Sequence, residues 1–148
     1  MDNSVVTCTR RFQFCSGHRV HLHESKCNHV HGHNYVILVT AIAPVLDNLG
    51  RVIDFGEIKE KLGTWIDENW DHGMILFQND PLAACWGHDL LLNQKHFIMP
   101  SNPTAENMAL FLLHNVCPVL FKDSHVVINK VTVWETENCY AEAMLVHA

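Results

Sequence analysis

The sequence lacks the marks of several common functional classes. Its six cysteines, Cys8, Cys15, Cys27, Cys85, Cys117 and Cys139, show no paired zinc-ribbon spacing. No early apolar run resembles a secretory signal, and no apolar stretch is long enough to span a bilayer. Basic residues are in the minority, 10 Lys and Arg against 16 Asp and Glu, for a formal net charge of -6. That balance argues against nucleic acid as a general partner. A small polyanionic substrate is compatible with it, given local cations such as Arg10, Arg11, Arg19 and Lys26. There is no internal repeat and no low-complexity segment. Without a secretory signal the cysteines read as reduced thiols in a cytoplasmic protein.

What is present suits a single domain over residues 1–148. Hydrophobic residues make up 48% of the chain, which excludes disorder. A chain of this length can bury a core without disulfide staples. Half of the twelve histidines fall between His18 and His33, together with Cys27. Neutral imidazole and thiolate are good zinc ligands. In an extended segment His31 and His33 point to the same side, and Gly32 between them leaves the backbone uncrowded. Two imidazoles on one face can start a metal site. Spacing alone leaves the third ligand open among His18, His21, His23 and His29.

Around this stretch the pattern predicts an α+β domain. A first strand is expected from about Val5 to Phe14 and a second from Asn34 to Ile42, the latter apolar on both faces. Asp54 is a candidate helix cap, with Glu57 three residues on as in a capping box. The stripe Phe55, Ile58, Leu62, Trp65, Ile66 and Asn69 carries that helix to about Trp70. Residues 79–100 show no clear period and read as a long loop with a short strand. A second helix starts at Asn102-Pro103-Thr104, with Met108, Phe111, Leu112, Asn115 and Val119 on one face, and Pro118 should kink or end it. Strands from Val126 to Trp134 and from Cys139 to Val146 complete the chain. The expected architecture is a four-stranded antiparallel sheet with two helices on one face, in the order ββααββ.

Three further places could carry chemistry. Cys27 follows Lys26 in a polar loop, where a thiol beside a cation or metal has a lowered pKa and can act as base or nucleophile. Cys117 and Cys139, in apolar elements, fit buried and inert thiols instead. Asp71-His72 is either an acid–base pair or a histidine at a helix end. Glu135 shares strand parity with Val131 and Val133. It is either a carboxylate on an apolar face, needing a partner with adjacent N–H donors, or a solvated turn residue.

Several separated motifs together resemble one family. Phe14-Cys15-Ser16-Gly17-His18-Arg19, Cys27 with His31-Gly32-His33, Asp71-His72, Pro103-Thr104-Ala105-Glu106 and Glu135-Thr136 are similar to motifs of the 6-pyruvoyl-tetrahydropterin synthase / 6-carboxytetrahydropterin synthase family. The resemblance covers nearly the whole chain. It implies a Zn2+ site of His18, His31 and His33, with Cys27 as general base and Asp71 and His72 completing a catalytic triad. It implies Glu135 as the anchor of a pterin ring, with Thr104 and Glu106 as further substrate-binding residues. It also implies the tunnelling fold (T-fold), a homohexamer built as a dimer of trimers, and 7,8-dihydroneopterin triphosphate as substrate.

Two departures from the family pattern stand out. The segment 79–100 is longer than in short family members, and Gly73-Met74-Ile75-Leu76-Phe77 lacks the asparagine often found after the aspartate–histidine pair. Only Asn28-His29-Val30 separates Cys27 from His31, the shorter spacing of the carboxy branch. The expected reaction is therefore formation of 6-carboxy-5,6,7,8-tetrahydropterin, with release of triphosphate and acetaldehyde. Triphosphate elimination to the 6-pyruvoyl product is the alternative. A non-catalytic, zinc-stabilised pterin-binding or interaction module, with Cys27 filling a closed zinc site, is an alternative of another class.

Overall fold

The structure, a computed structural model, describes residues 3–86 and 93–146. Strand β1 (Thr7–His18) and strand β2 (His31–Ile42) pair antiparallel along their whole length, from Thr7 opposite Ile42 to His18 opposite His31. Both reach further toward each other than their apolar patterns suggest. The histidine-rich connection is thereby cut to residues 19–30, and three of its histidines become strand residues.

Helix α1 (residues 55–69) is the next element. The Asp54 side chain caps it by accepting from the Gly56 N–H at 2.8 Å. Glu57 does not complete a capping box; its carboxylate faces Lys61 at 3.6 Å, one helical turn on. Strand β3 (Gly73–Phe77), helix α2 (Pro81–Trp86) and strand β4 (His96–Met99) come next, then helix α3 (residues 105–120), β5 (Val127–Thr136) and β6 (Cys139–Met144). The sheet order is β4-β3-β1-β2-β5-β6.

The four-stranded antiparallel sheet is therefore a correction. The sheet has six strands and is mixed, because β3 runs parallel to β1 and β4 parallel to β3. The frame ββααββ persists, with β3, α2 and β4 inserted between its two long helices. Short strands in parallel pairing carry no polar–apolar alternation, and Gly-Met-Ile-Leu-Phe offers only five residues. The predicted loop over 79–100 resolves into α2 and β4, while its residues 87–92 lie outside the described residues.

One face of the sheet is covered by α1 and α3. Tyr35, Ile37, Val39, Val131 and Val133 from the strands pack with Ile58, Leu62, Ile66, Met108, Leu112 and Val116 from the helices. Both long helices contain a π-helical stretch, Lys59–Gly63 in α1 and Leu112–Val116 in α3. In α3 the Cys117 N–H bonds back to the Leu112 carbonyl, a five-residue step just before Pro118. The wider turn rotates the last turn of the helix relative to the first. Leu113, Val116 and Cys117 are buried, whereas Val119, expected on the apolar face, is exposed. The helix ends at Leu120, two residues past the proline. No helix among the described residues is long and apolar enough to cross a membrane.

Arg19, next to His18, joins the end of β1 to the start of α2 through a two-pronged contact with Asp80. The Asp80 side chain is wholly buried. Burial opposes its ionisation, but the Arg19 guanidinium and the Leu82 N–H more than offset this and hold its pKa below the ordinary value. Removing one partner of a buried pair costs about 3–5 kcal/mol. Arg19→Ala should therefore lose several kcal/mol in urea unfolding at pH 7. The folded-state pKa is depressed, so the stabilisation is present above about pH 4 and is lost as the pH falls through the lower folded value. The gap between variant and wild type should narrow there.

Candidate active site

The β1–β2 register sets three imidazoles around one point. His18 stands opposite His31 and Ser16 opposite His33, and all three rings lie on the face toward the helices. The Nε2 of His18 is 3.1 Å from the Nε2 of His31 and 3.1 Å from that of His33. Gly32 allows the close strand approach, since a Cβ there would sit 3.3 Å from the Ser16 carbonyl oxygen.

Second contacts orient the rings. The Nδ1 of His18 is 2.7 Å from the Pro103 carbonyl, and the Nδ1 of His31 is 2.7 Å from the His29 carbonyl. A carbonyl only accepts, so both rings carry their proton on Nδ1 and aim an Nε2 lone pair inward. Lone pairs this close repel unless something positive lies between them. Three nitrogens bound to one ion at 2.0–2.1 Å with tetrahedral angles stand roughly 3.3 Å apart, near the separations seen. Burial, and to a lesser degree the charges of His31 and His33, push the His18 pKa down to about 4, although the Pro103 carbonyl opposes the shift. Burial and His31 also lower that of His33. These shifts favour the neutral form of His18 and His33, the form that binds metal. Together they make a group that could hold a metal ion.

The triad forms one wall of a cavity of about 230 Å³, which is also lined by His23, Cys27, Thr104, Glu106, Glu135 and Cys139. Cys27 lies in a short 3-10 turn, Lys26–Asn28, and its carbonyl accepts from the Val20 N–H at 2.9 Å. Asn102 docks this loop on the start of α3, accepting from the His21 N–H at 3.0 Å and donating to the His21 carbonyl at 3.2 Å. Thr104 caps α3 by accepting from the Asn107 N–H at 3.1 Å.

Glu135 belongs to β5 and is no solvated turn residue. It sits where the pairing with β6 slips by one, between Trp134 opposite Tyr140 and Thr136 opposite Cys139. A bulge of this kind re-aims a side chain, and here the side chain lines the cavity wall at the start of α3. Burial and then the charge of Glu106 raise the Glu135 pKa, partly offset by His31 and by a hydrogen bond from the Ala105 N–H.

A family model described as 6-pyruvoyl tetrahydropterin synthase matches residues 7–145. The chain belongs to that family. It is 41% identical over 138 residues to a protein of Rickettsia bellii named 6-carboxy-5,6,7,8-tetrahydropterin synthase, covering 93% of this chain and 99% of the relative. It is 30% identical to a Helicobacter pylori protein of the same name, over 92% of this chain and 71% of the relative. Among solved structures, an uncharacterized protein from Wolinella succinogenes superposes with TM-score 0.83 at 23% identity, covering 96% of this chain and 99% of that one. The 6-pyruvoyl tetrahydropterin synthase of Caenorhabditis elegans does so with TM-score 0.69 at 25% identity, covering 97% of both chains.

Against the residues that the family resemblance singles out, the chain gathers His18, His31, His33, Cys27, Thr104, Glu106 and Glu135 around one cavity. It does not bring Asp71 and His72 there. That pair follows α1, with His72 at φ 56° and lining a second concavity of about 390 Å³ together with Cys15, Ser16, His33 and Asn34. The Asp71 carboxylate lies 3.0 Å from the His72 Nδ1 and accepts from the Cys15 N–H at 3.1 Å. Burial opposes its ionisation, but His72, the Cys15 N–H and Lys95 together lower its pKa. His33 borders both concavities.

Other expectations are corrected. Arg10 and Arg11 alternate along β1 and Arg19 is engaged with Asp80, so the basic residues form no single cluster. Cys117 is buried as expected, with its pKa pushed up to about 12 by burial. Cys139 is exposed and lines the cavity, because the bulge at Glu135 brings the start of β6 to its rim. Nothing in the apolar run around it signals this. His23 was visible only as one histidine among several. The metal test is direct: His31→Ala leaves two inward nitrogens, and its metal content after purification should fall to a small fraction of wild type. His21→Ala and His29→Ala should keep theirs.

Proposed function

We propose that this chain is a zinc-dependent 6-carboxy-5,6,7,8-tetrahydropterin synthase. It would act on 7,8-dihydroneopterin triphosphate and release triphosphate and acetaldehyde in the cytoplasm. The carrying observation is the cavity in which three inward Nε2 atoms, a loop-borne thiol and a half-buried carboxylate meet. The name carried by the relatives at 41% identity and the short Cys27–His31 spacing support the carboxy product over the pyruvoyl one.

His18, His31 and His33 would hold the zinc, which when bound supplies a Lewis acid to side-chain oxygens of the substrate. The donor set fits it: three neutral nitrogens leave the ion its charge and a position open. The Cys27 sulfur is not part of the close nitrogen group among the described residues, which speaks against the closed structural site. The thiol is free to move protons on the side chain. The Glu135 carboxylate accepts two N–H bonds from the amino-pyrimidinone edge of the pterin, a charge-assisted pair. Thr104 and Glu106 complete the wall at the head of α3.

Asp71 and His72 enter this reading from a neighbouring subunit. On the side of the sheet away from the helices, Val36, Leu38 and Trp134 border a groove that no described element covers. Among the described residues, strands β4 and β6 end the sheet with free edges. Free edges and a half-apolar face suit a closed ring of sheets, and a homohexamer of stacked trimers is the assembly proposed.

Two experiments test this. Incubating zinc-loaded protein with dihydroneopterin triphosphate should yield the carboxy product and acetaldehyde by mass spectrometry. Pyruvoyl product without acetaldehyde would move the chain to the other branch. Cys27→Ala should lower turnover by about 10²–10⁴-fold with its metal retained. The second experiment mixes Cys27→Ala with His72→Ala after partial dissociation. Each alone should turn over only weakly, and in the mixture sites built across subunits should recover a fraction of wild-type turnover. No recovery in verified mixed oligomers would confine the triad to one chain.

A further inference from the structure

The Tyr35 side chain is fully buried, yet its hydroxyl has no hydrogen-bond partner among the described residues. Buried polar groups without partners are costly and few. Trp70 Nε1 and Asn129 Oδ1 share the condition. Of the three, only Tyr35 has ring contacts with the histidine triad. Its centroid is 5.3 Å from that of His33 and 5.9 Å from that of His18, and it stacks on Phe14 at 5.2 Å. Neighbours on several sides fix the ring, so the oxygen has little freedom to seek a partner elsewhere.

The register indicates what the hydroxyl faces. Ile37 is opposite Val133 and Val36 opposite Trp134. One further step sets Tyr35 opposite Glu135, both on the inner side of the sheet. Glu135 is the bulged residue, so its carboxylate is less constrained by the ladder than its neighbours. The two groups are near enough to interact electrostatically. A phenol is a donor at neutral pH, and this one stands behind a carboxylate that also faces Glu106.

We propose that Tyr35 is the positioning residue of Glu135, its hydroxyl donating to the carboxylate from beneath when a heterocycle with adjacent N–H donors occupies the cavity. This rests on the reading of Glu135 as the ring anchor. The ligand draws the carboxylate toward its own donors and the phenol fixes the oxygen on the far side. A charge-assisted O–H···O bond is about twice as strong as a neutral one. The partner missing in the free chain is then supplied in the bound one.

The test compares Tyr35→Phe, Glu135→Gln and the double variant, using pterin itself as a fluorescent probe on the zinc-loaded protein. Tyr35→Phe keeps the ring and deletes one oxygen. It should retain its metal, melt at the same or a higher temperature, and bind pterin about tenfold more weakly. In turnover KM should rise with kcat little changed. In the Glu135→Gln background the same change should have almost no further effect, because the acceptor is altered. Wild-type affinity in Tyr35→Phe, with a raised melting temperature, would mean the hydroxyl is only a tolerated orphan. Equal losses from Tyr35→Phe in both backgrounds would likewise overturn the coupling. Wild-type affinity in Glu135→Gln would remove the anchor and the inference with it, an outcome that a failed Tyr35→Phe alone does not produce.

Discussion

The site depends first on the register of the β1–β2 pair. His18 and His31 come opposite one another only because the two strands pair from Thr7–Ile42 down to their last residues. A slip of one residue would send His31 and His33 to the far face while leaving His18 behind. The register is held by the apolar faces of Phe14, Tyr35, Ile37 and Val39 against the helices. It is held again at the open end by Arg19 on Asp80 and by Asn102 on the His21 backbone. Packing of the core and geometry of the three histidines are therefore one constraint, and the loop that carries Cys27 is closed by the same strand ends.

The opposite wall is built from unfavourable local choices. Two carboxylates, Glu106 and Glu135, face one cavity at the start of α3. A buried imidazole is held far below its usual pKa, and a buried phenol lacks a partner among the described residues. Each costs free energy in the unliganded chain, and the large core between the sheet and its helices offsets that cost. A cation and a ring with N–H donors, as proposed, would give groups so placed their partners, which is the sense in which strain gathers at functional sites.

Much of this was legible in the sequence, and the failures have physical reasons. His31 and His33 followed from period-two alternation. The Asp54 helix start followed from capping chemistry, and the second from the place of proline at helix starts, although Pro103 precedes the cap, Thr104. His18 as third ligand did not follow from spacing, because it lies across a strand pair and not along one strand; the family motif supplied it. Strand β3 was hidden by its shortness and by parallel pairing, in which both faces are covered, whereas β4 is the short strand expected within 79–100. The rotation of the buried stripe in α3 was hidden because a π-helical step leaves no regular mark in composition, although Pro118 pointed to the place. Glu135 was ambiguous because a bulge keeps a residue in the strand while breaking the pairing that would identify it.

The residues proposed as catalytic lie apart in the chain in a way that bears on assembly. Side chains alternate across β1 and β2, so a strand pair that sends three histidines inward must send Cys15 and Asn34 outward. The Asp71–His72 pair sits beside Cys15, whose backbone N–H the Asp71 carboxylate accepts from, and neither residue lines the cavity that holds Cys27. If the thiol and the acid–base pair act together as proposed, different copies of the chain would supply them. The uncovered face and free edges of the sheet are then the surfaces that bring those copies together, and the interface and the active site are the same construction.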